Sequence, residues 1–170
     1  MFKSSLKLSI LILTLNFNCT QSKSKQISAI FYNENLVKII NSIDSSRNLI
    51  GDDQNETLLE TETDIKNFSQ KVIDSKTKID SLMLHPKDIS FKKEVDNFIT
   101  LNKQFAYVDF QNLLILKKKL AECKIEKDKN EIIYLIINIS DQIESKLILS
   151  NQKIVKAQNN FSTNAKLRLK

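Results

Sequence analysis

The chain has 170 residues, a formal charge of +6, one glycine, one proline and no tryptophan. So little Gly and Pro argues against a turn-rich all-β fold and excludes a glycine-rich phosphate loop. Two cysteines and one histidine fall short of a structural zinc set. A nucleophile–histidine pair would have to join His85 to Cys123 or to a serine, with no sequence context in support. We therefore expect a protein that is not an enzyme and needs no cofactor or metal.

The N-terminus carries an address. Lys3 and Lys7 precede an apolar run through Leu8, Ile10, Leu11, Ile12, Leu13 and Leu15, and Asn16-Phe17-Asn18 leads to Cys19. The chain then turns polar at once, as Thr20-Gln21-Ser22-Lys23-Ser24-Lys25-Gln26. A positive start, a short apolar stretch and an abrupt polar change are how a secretory signal reads. The run is roughly a dozen residues, where a spanning helix needs about 20. The expected organisation is a signal peptide over 1–18, a lipidated polar tether over 19–26 beginning at Cys19, and a helical bundle domain over 27–170. Asn16, Phe17 and Asn18 depart from the small residues that usually precede a lipidated cysteine, which leaves an ordinary export signal as the alternative.

The relaxed lipid-attachment site, the Ser/Lys/Gln tether and the wealth of Lys, Asn, Ile, Ser and Leu resemble the surface lipoproteins of Borrelia-type spirochaetes. In size and character the chain is also similar to the borrelial persistence-in-ticks lipoproteins. The resemblance implies an outer-membrane location with a lipid anchor. It further implies a helical, non-enzymatic virulence or persistence factor that binds a host or vector molecule, as decorin-binding and factor-H-binding members do. Loss of Lys3 and Lys7 with the signal lowers the charge from +6 to +4, too little to argue for nucleic acid. If Cys19 is lipidated, Cys123 has no partner, and its spacing from Leu116 and Leu120 favours burial as a small hydrophobe.

The first helix is expected over 27–50, with Ile30, Leu36, Ile39, Ile40 and Ile43 on one face and Gly51 as a C-cap. Acidic residues Asp52, Asp53, Glu56, Glu60, Glu62 and Asp64 follow. They lack the spacing of a calcium loop and suit the dipole at the start of the next helix. From Leu58 the clearest periodicity begins: Leu58, Ile65, Phe68, Val72, Ile79 and Leu82 make an a/d-like seam that skips Thr61 and Ser75. His85-Pro86 is expected to end this helix, with His85 as a solvated loop residue.

A third helix is expected from about Lys87 to Cys123. Val95, Phe98, Phe105, Val108, Leu113, Leu116 and Leu120 lie on its core side. Phe91, Phe98, Phe105, Tyr107 and Phe110 make this the aromatic part of the domain; their rings fill the core or, at Tyr107 and Phe110, which sit off the stripe, form an exposed aromatic patch. A polar turn or kink over 124–129 leads into a fourth helix, about 130–160. Its face runs through Ile132, Ile136, Ile139, Ile143, Leu147, Ile154 and Phe161, widened by Ile133, Leu135, Ile137 and Ile148. So broad a surface implies more than one neighbour. No acidic residue follows Glu144, so Lys146, Lys153, Lys156, Lys166, Arg168 and Lys170 make a basic end. That end suits a sulfated polysaccharide, an anionic headgroup or an acidic protein face, or merely complements the helix dipole.

The fold class expected is all-α, an antiparallel bundle of about four helices behind the tether. The partner-binding candidates are Lys153, Lys156, Lys166, Arg168, Lys170, Tyr107 and Phe110. Two functions compete. One is a surface-exposed lipoprotein binding a host or vector protein or a sulfated polysaccharide. The other is a periplasm-facing structural or assembly lipoprotein that packs against another envelope protein.

Overall fold

The computed structural model describes residues 23–50 and 57–167, and every regular element among them is helical. The expected signal peptide, Cys19, Gly51, Asp52, Asp53, Glu56, Arg168 and Lys170 lie outside the described residues. The elements are α1 (Lys23–Arg47), α2 (Leu58–Ser81), α3 (Phe91–Gln104), a π-helical turn (Phe105–Asp109), α4 (Phe110–Glu122) and α5 (Glu126–Asn164). Backbone angles stay helical at Gln104, Phe105, Asp109 and Phe110, so α3, the π turn and α4 form one rod. Four rods result, as the periodicity predicts. The first begins at Lys23, inside the expected tether.

The seam of α2 is as expected, and the skipped positions complete it. Thr61, Ile65, Phe68, Val72, Ser75 and Ile79 are all buried. Thr61 is small enough for the seam, and its hydroxyl bonds the Thr57 carbonyl at 3.2 Å, so its burial leaves no polar group unsatisfied. The helix starts on a capping box. Thr57 Oγ1 accepts from the Glu60 amide at 3.3 Å, while Glu60 Oε2 accepts from the Thr57 amide at 2.7 Å. The Thr57 amide and, less strongly, the Thr57 hydroxyl donate to the Glu60 carboxylate and hold it below its usual pKa. Glu62 instead pairs with Lys118 on α4 at 3.3 Å. Two of the acidic residues are thus accounted for by a cap and an ion pair.

Helix ends differ from expectation. α2 stops at Ser81, four residues before His85, and α3 starts at Phe91, four after Lys87. Asp88 sets the second boundary. Its carboxylate accepts the amides of Ser90 (2.9 Å), Phe91 (2.6 Å) and Lys92 (2.8 Å), which are orphan donors of the first turn. The first boundary is fixed from across the loop, where Lys92 Nζ donates to the Leu82 carbonyl. α5 is longer than expected at both ends. It begins after an extended link at Cys123 and Ile125 and closes in a Schellman motif. The Leu167 amide bonds the Ser162 carbonyl and the Lys166 amide bonds that of Thr163, with Lys166 at φ 56° where glycine is usual.

The core is shared by all four rods. Leu36 and Ile43 of α1, Phe68 of α2, Phe91 and Phe98 of α3 and Phe161 of α5 are fully buried. Two positions in the third rod are exchanged relative to expectation. Val108, on the expected core side, is 48% exposed, whereas Phe110, off the expected stripe, is buried, which leaves core filling as the reading for its ring. The π turn is the cause. The Phe110 amide bonds the Phe105 carbonyl five residues back, not four. One extra residue in the turn advances the phase, so Phe110 stands where position 109 of a regular helix would point. Its ring meets Phe68 edge-on at 5.6 Å and Phe105 at 6.3 Å.

A polar bridge links α1 to α3. Arg47 Nη1 donates to Asn102 Oδ1 at 2.9 Å, and Asn102 Nδ2 donates to the Phe98 carbonyl at 2.8 Å. Arg47 Nη2 lies 2.6 Å from Asp44 Oδ1, an ion pair without the alignment of a hydrogen bond. Burial raises the Asp44 pKa above its usual 3.8, and the opposing pull of Arg47 is the smaller effect. A carboxyl whose folded pKa exceeds the unfolded one adds stability that is fully present below about pH 4. That contribution is lost as pH rises through the folded value. The Asp44→Asn variant should therefore gain stability relative to the parent as pH rises from about 4 to 7. Urea melts at several pH values would show it, and a flat difference would refute it.

Candidate functional site

The sequence-derived candidates do not converge. Lys153 and Lys156 are exposed on α5 and Lys166 lies exposed beyond its end, but about 20 Å of helix separates Lys153 from Lys166. Tyr107 is 49% exposed on the π turn. Phe110 is buried against Phe68 and Phe105, so it cannot belong to an exposed aromatic patch. Cys123 is half-buried at the end of α4, its thiol directed to the Ile125 carbonyl at 3.4 Å, rather than packed in the core.

His85 also departs from expectation. Its ring is half-buried, 5.6 Å from Tyr32 and edge-on to Phe161 at 5.2 Å. Tyr32 and Phe161 meet at 5.3 Å, and Phe91 closes the group at 6.1 Å from Phe161. The Tyr32 hydroxyl donates to Asp88 Oδ2 at 2.5 Å. Burial raises the Tyr32 pKa, and Asp88 raises it further by favouring the protonated phenol. His85 Nδ1 accepts the Lys87 amide at 3.1 Å, which leaves that ring nitrogen occupied by the loop. This node ties α1, the α2–α3 loop, α3 and α5 together. The sequence signal for Asp88 was available: an acidic side chain just ahead of an apolar-periodic run is a helix start signal.

The unfilled surface lies on α5. Ile143, Ile154, Ala157 and Phe161 face the core, with Ile132, Ile136, Ile139 and Leu147 half-buried on the same side. The principal neighbours of α5 are α3 and α4. A second line runs along its flank: Ile133, Ile137, Glu144, Ile148 and Val155, separated by four, seven, four and seven residues. That is an 11-residue repeat, 3.67 residues per turn, close to the period of a straight α-helix, so the line keeps to one face along its length. Its four apolar members are 38–54% exposed. Tyr134 stands beside the seam and Ile115 is exposed on α4. The described lining of a recess of about 650 Å³ is drawn from the C-terminal half of this face, including Ile148, Gln152, Val155, Lys156 and Asn159. The periodicity predicts Ile133, Leu135, Ile137 and Ile148 as a widening of the core face. Among the described residues Ile133, Ile137 and Ile148 form a separate surface, because the described neighbours of α5 take up only its other side.

Among the described residues no three His, Cys, Asp or Glu side chains come together to hold a metal ion, and no helix is long and apolar enough to cross a membrane. No protein-family model, no curated protein and no solved structure matches the chain.

Proposed function

We propose that this chain is an exported lipoprotein, anchored through Cys19 in the outer membrane. Its helical domain displays the flank of α5 at the cell surface to a protein of the host or vector, without catalysis. The observation that carries this reading is the second seam, Ile133, Ile137, Ile148 and Val155, left open on a 39-residue helix. A half-exposed apolar line that keeps to one face of the helix suits an amphipathic helix or a flat apolar surface on a partner. Lys156, which shares the lining of the recess with Ile148 and Val155, would then lie at its rim, where charge steers encounter more than it adds affinity, while Lys153 points to the other side of α5.

The rods are read as an antiparallel, up-and-down arrangement. Contacts between α2 and its neighbours support this order. Lys76 of α2 bonds Asp96 near the start of α3 at 2.8 Å, whereas Thr61 and Glu62 at its other end meet Lys117 and Lys118 late in α4. The α4–α5 link then falls at the end remote from the start of α1, and the N-terminal half of the seam points away from the anchor.

The test is brief proteinase treatment of intact cells with a periplasmic protein as control. Loss of the helical domain while the control survives is the expected result. Full protection would overturn surface display and direct the seam to an envelope partner. In the surface case, Ile137→Glu combined with Ile148→Glu should abolish partner retention. At half-exposed positions each change should leave stability within about 1 kcal/mol. Retention that survives the pair would remove the seam as the site.

A further inference from the structure

The α2–α3 loop presents three large apolar side chains to solvent. Met83 is 86% exposed, Ile89 83% and Leu84 59%. Such a loop is ordinarily polar, and this one is held firmly. Asp88 caps α3 and binds Tyr32, Lys92 reaches back to the Leu82 carbonyl, and His85 sits among Tyr32 and Phe161. Between Leu84 and Ile89 opens a recess of about 320 Å³, bounded also by Ile79, Lys92, Lys93 and by Asp80 and Asp96, which share Lys76 as their ion-pair partner. Asp88 is buried, so Lys87 is the only exposed charge between Leu82 and Ser90. Lys166, placed by the Schellman motif, is exposed at the same end as Phe161.

This is the end from which α1 sets out. Tyr32, which touches the loop, lies about 13 Å of helix from Lys23. Only Thr20, Gln21 and Ser22 separate Cys19 from Lys23, a span of about 14 Å at full extension. A lipid on Cys19 therefore keeps the loop within reach of the bilayer surface when α1 inclines. We infer that the loop around Met83, Leu84 and Ile89 is a second membrane contact, inserting into the headgroup boundary of a bilayer containing anionic lipid. Lys87, Lys93 and Lys166 meet its phosphates. Apolar side chains flanked by Lys87 and Lys93, with Asp80 and Asp96 already paired to Lys76, match that boundary, the lysine stems lying along apolar surface and their ammonium groups in water. The contact rests on the anchored reading of Cys19, and it would hold the bundle in one orientation instead of letting it swing on a tether.

The absence of tryptophan makes the test direct. The full chain, expressed with its signal and purified from membranes, would carry Met83→Trp or Ile89→Trp as its sole tryptophan. Leu59→Trp, 74% exposed at the start of α2, is the control from the other end. Each is reconstituted in vesicles of phosphatidylcholine with a minority of phosphatidylglycerol, with and without brominated acyl chains, and the mass of the mature N-terminus is measured separately. Expected are a blue shift and loss of most emission to bromine for both loop variants, with water-like, unquenched emission from Leu59→Trp. Water-like emission from both loop variants on a lipidated chain overturns the contact and leaves the loop to a protein partner. Equal quenching of Leu59→Trp also overturns it, because no end of the bundle is then preferred. An unmodified Cys19 overturns the anchored reading, and the inference with it, by a readout independent of the fluorescence.

Discussion

Phe161→Ala should destabilise the fold by about 3–5 kcal/mol, the cost of emptying a fully buried aromatic position. For a domain of this size that corresponds to a fall in melting temperature on the order of 10 °C. The residue is 1% exposed, and its ring touches Tyr32, His85 and Phe91, which belong to α1, the α2–α3 loop and α3. Removing it opens a cavity where three elements meet and detaches the end of α5 from all of them. The surrounding rings are held by Asp88 and by the loop backbone, so collapse into the void should be limited and the cost should sit in the upper part of that range. Val155→Ala, on the exposed flank of the same helix, should change stability by about 0.5 kcal/mol or less. Thermal melts of the two variants decide it. A loss below about 1 kcal/mol for Phe161→Ala would mean that the node does not fasten α5.

Asp88→Ala should cost about 2–4 kcal/mol, from two separable sources. Loss of a helix cap accounts for about 0.5–2 kcal/mol, and a buried tyrosine hydroxyl left without its acceptor for about 1–3 kcal/mol. The second source vanishes if the hydroxyl is removed as well. Tyr32→Phe in the Asp88→Ala background should therefore cost little further, or restore part of the loss. Alone, Tyr32→Phe strips Asp88 of its hydroxyl donor and should be destabilising. The double-mutant cycle should return a coupling of about 1–2 kcal/mol. A coupling near zero would show that Asp88 acts on α3 alone and that the 2.5 Å bond to Tyr32 contributes nothing to joining α1.

Much of this fold was legible because burial follows a constant period wherever the helix is regular. Leu58 through Leu82 predicted the inward face of α2, and even the two gaps were placed correctly, since Thr61 and Ser75 are small enough to sit in the seam. The same arithmetic failed at Val108 and Phe110, because it assumes one number of residues per turn and the π turn changes that number locally. Nothing in Phe105-Ala106-Tyr107-Val108-Asp109 announces the change. Helix ends were less readable than helix faces. His85-Pro86 marked a break, but the positions where α2 stops and α3 starts depend on Asp88 and Lys92 reaching backbone groups across the loop. The lone histidine was misplaced for a related reason: Tyr32 and Phe161, its neighbours, are far from it in sequence.

For the candidate site the balance was different. Ile133, Ile137 and Ile148 were recognised as apolar, yet periodicity cannot tell a helix flank that meets a neighbour from one that does not. That depends on how many rods surround α5. The basic residues show the converse difficulty. They are consecutive in composition and scattered in space, since a long helix distributes neighbouring lysines around and along itself.

The π turn has a consequence for the history of this rod. An ordinary helix cannot gain or lose one residue without rotating everything beyond the change by about 100°, which would carry Leu114 and its companions out of the core. Between Phe105 and Phe110 that constraint is relaxed. Dropping the exposed Val108 would return the hydrogen bond to its four-residue span and leave Phe110 and Leu114 facing inward as they do now. The turn is thus a spare position absorbed without disturbing the interior, and the stretch around Tyr107 and Val108 is where this rod can change length while its packing stays fixed.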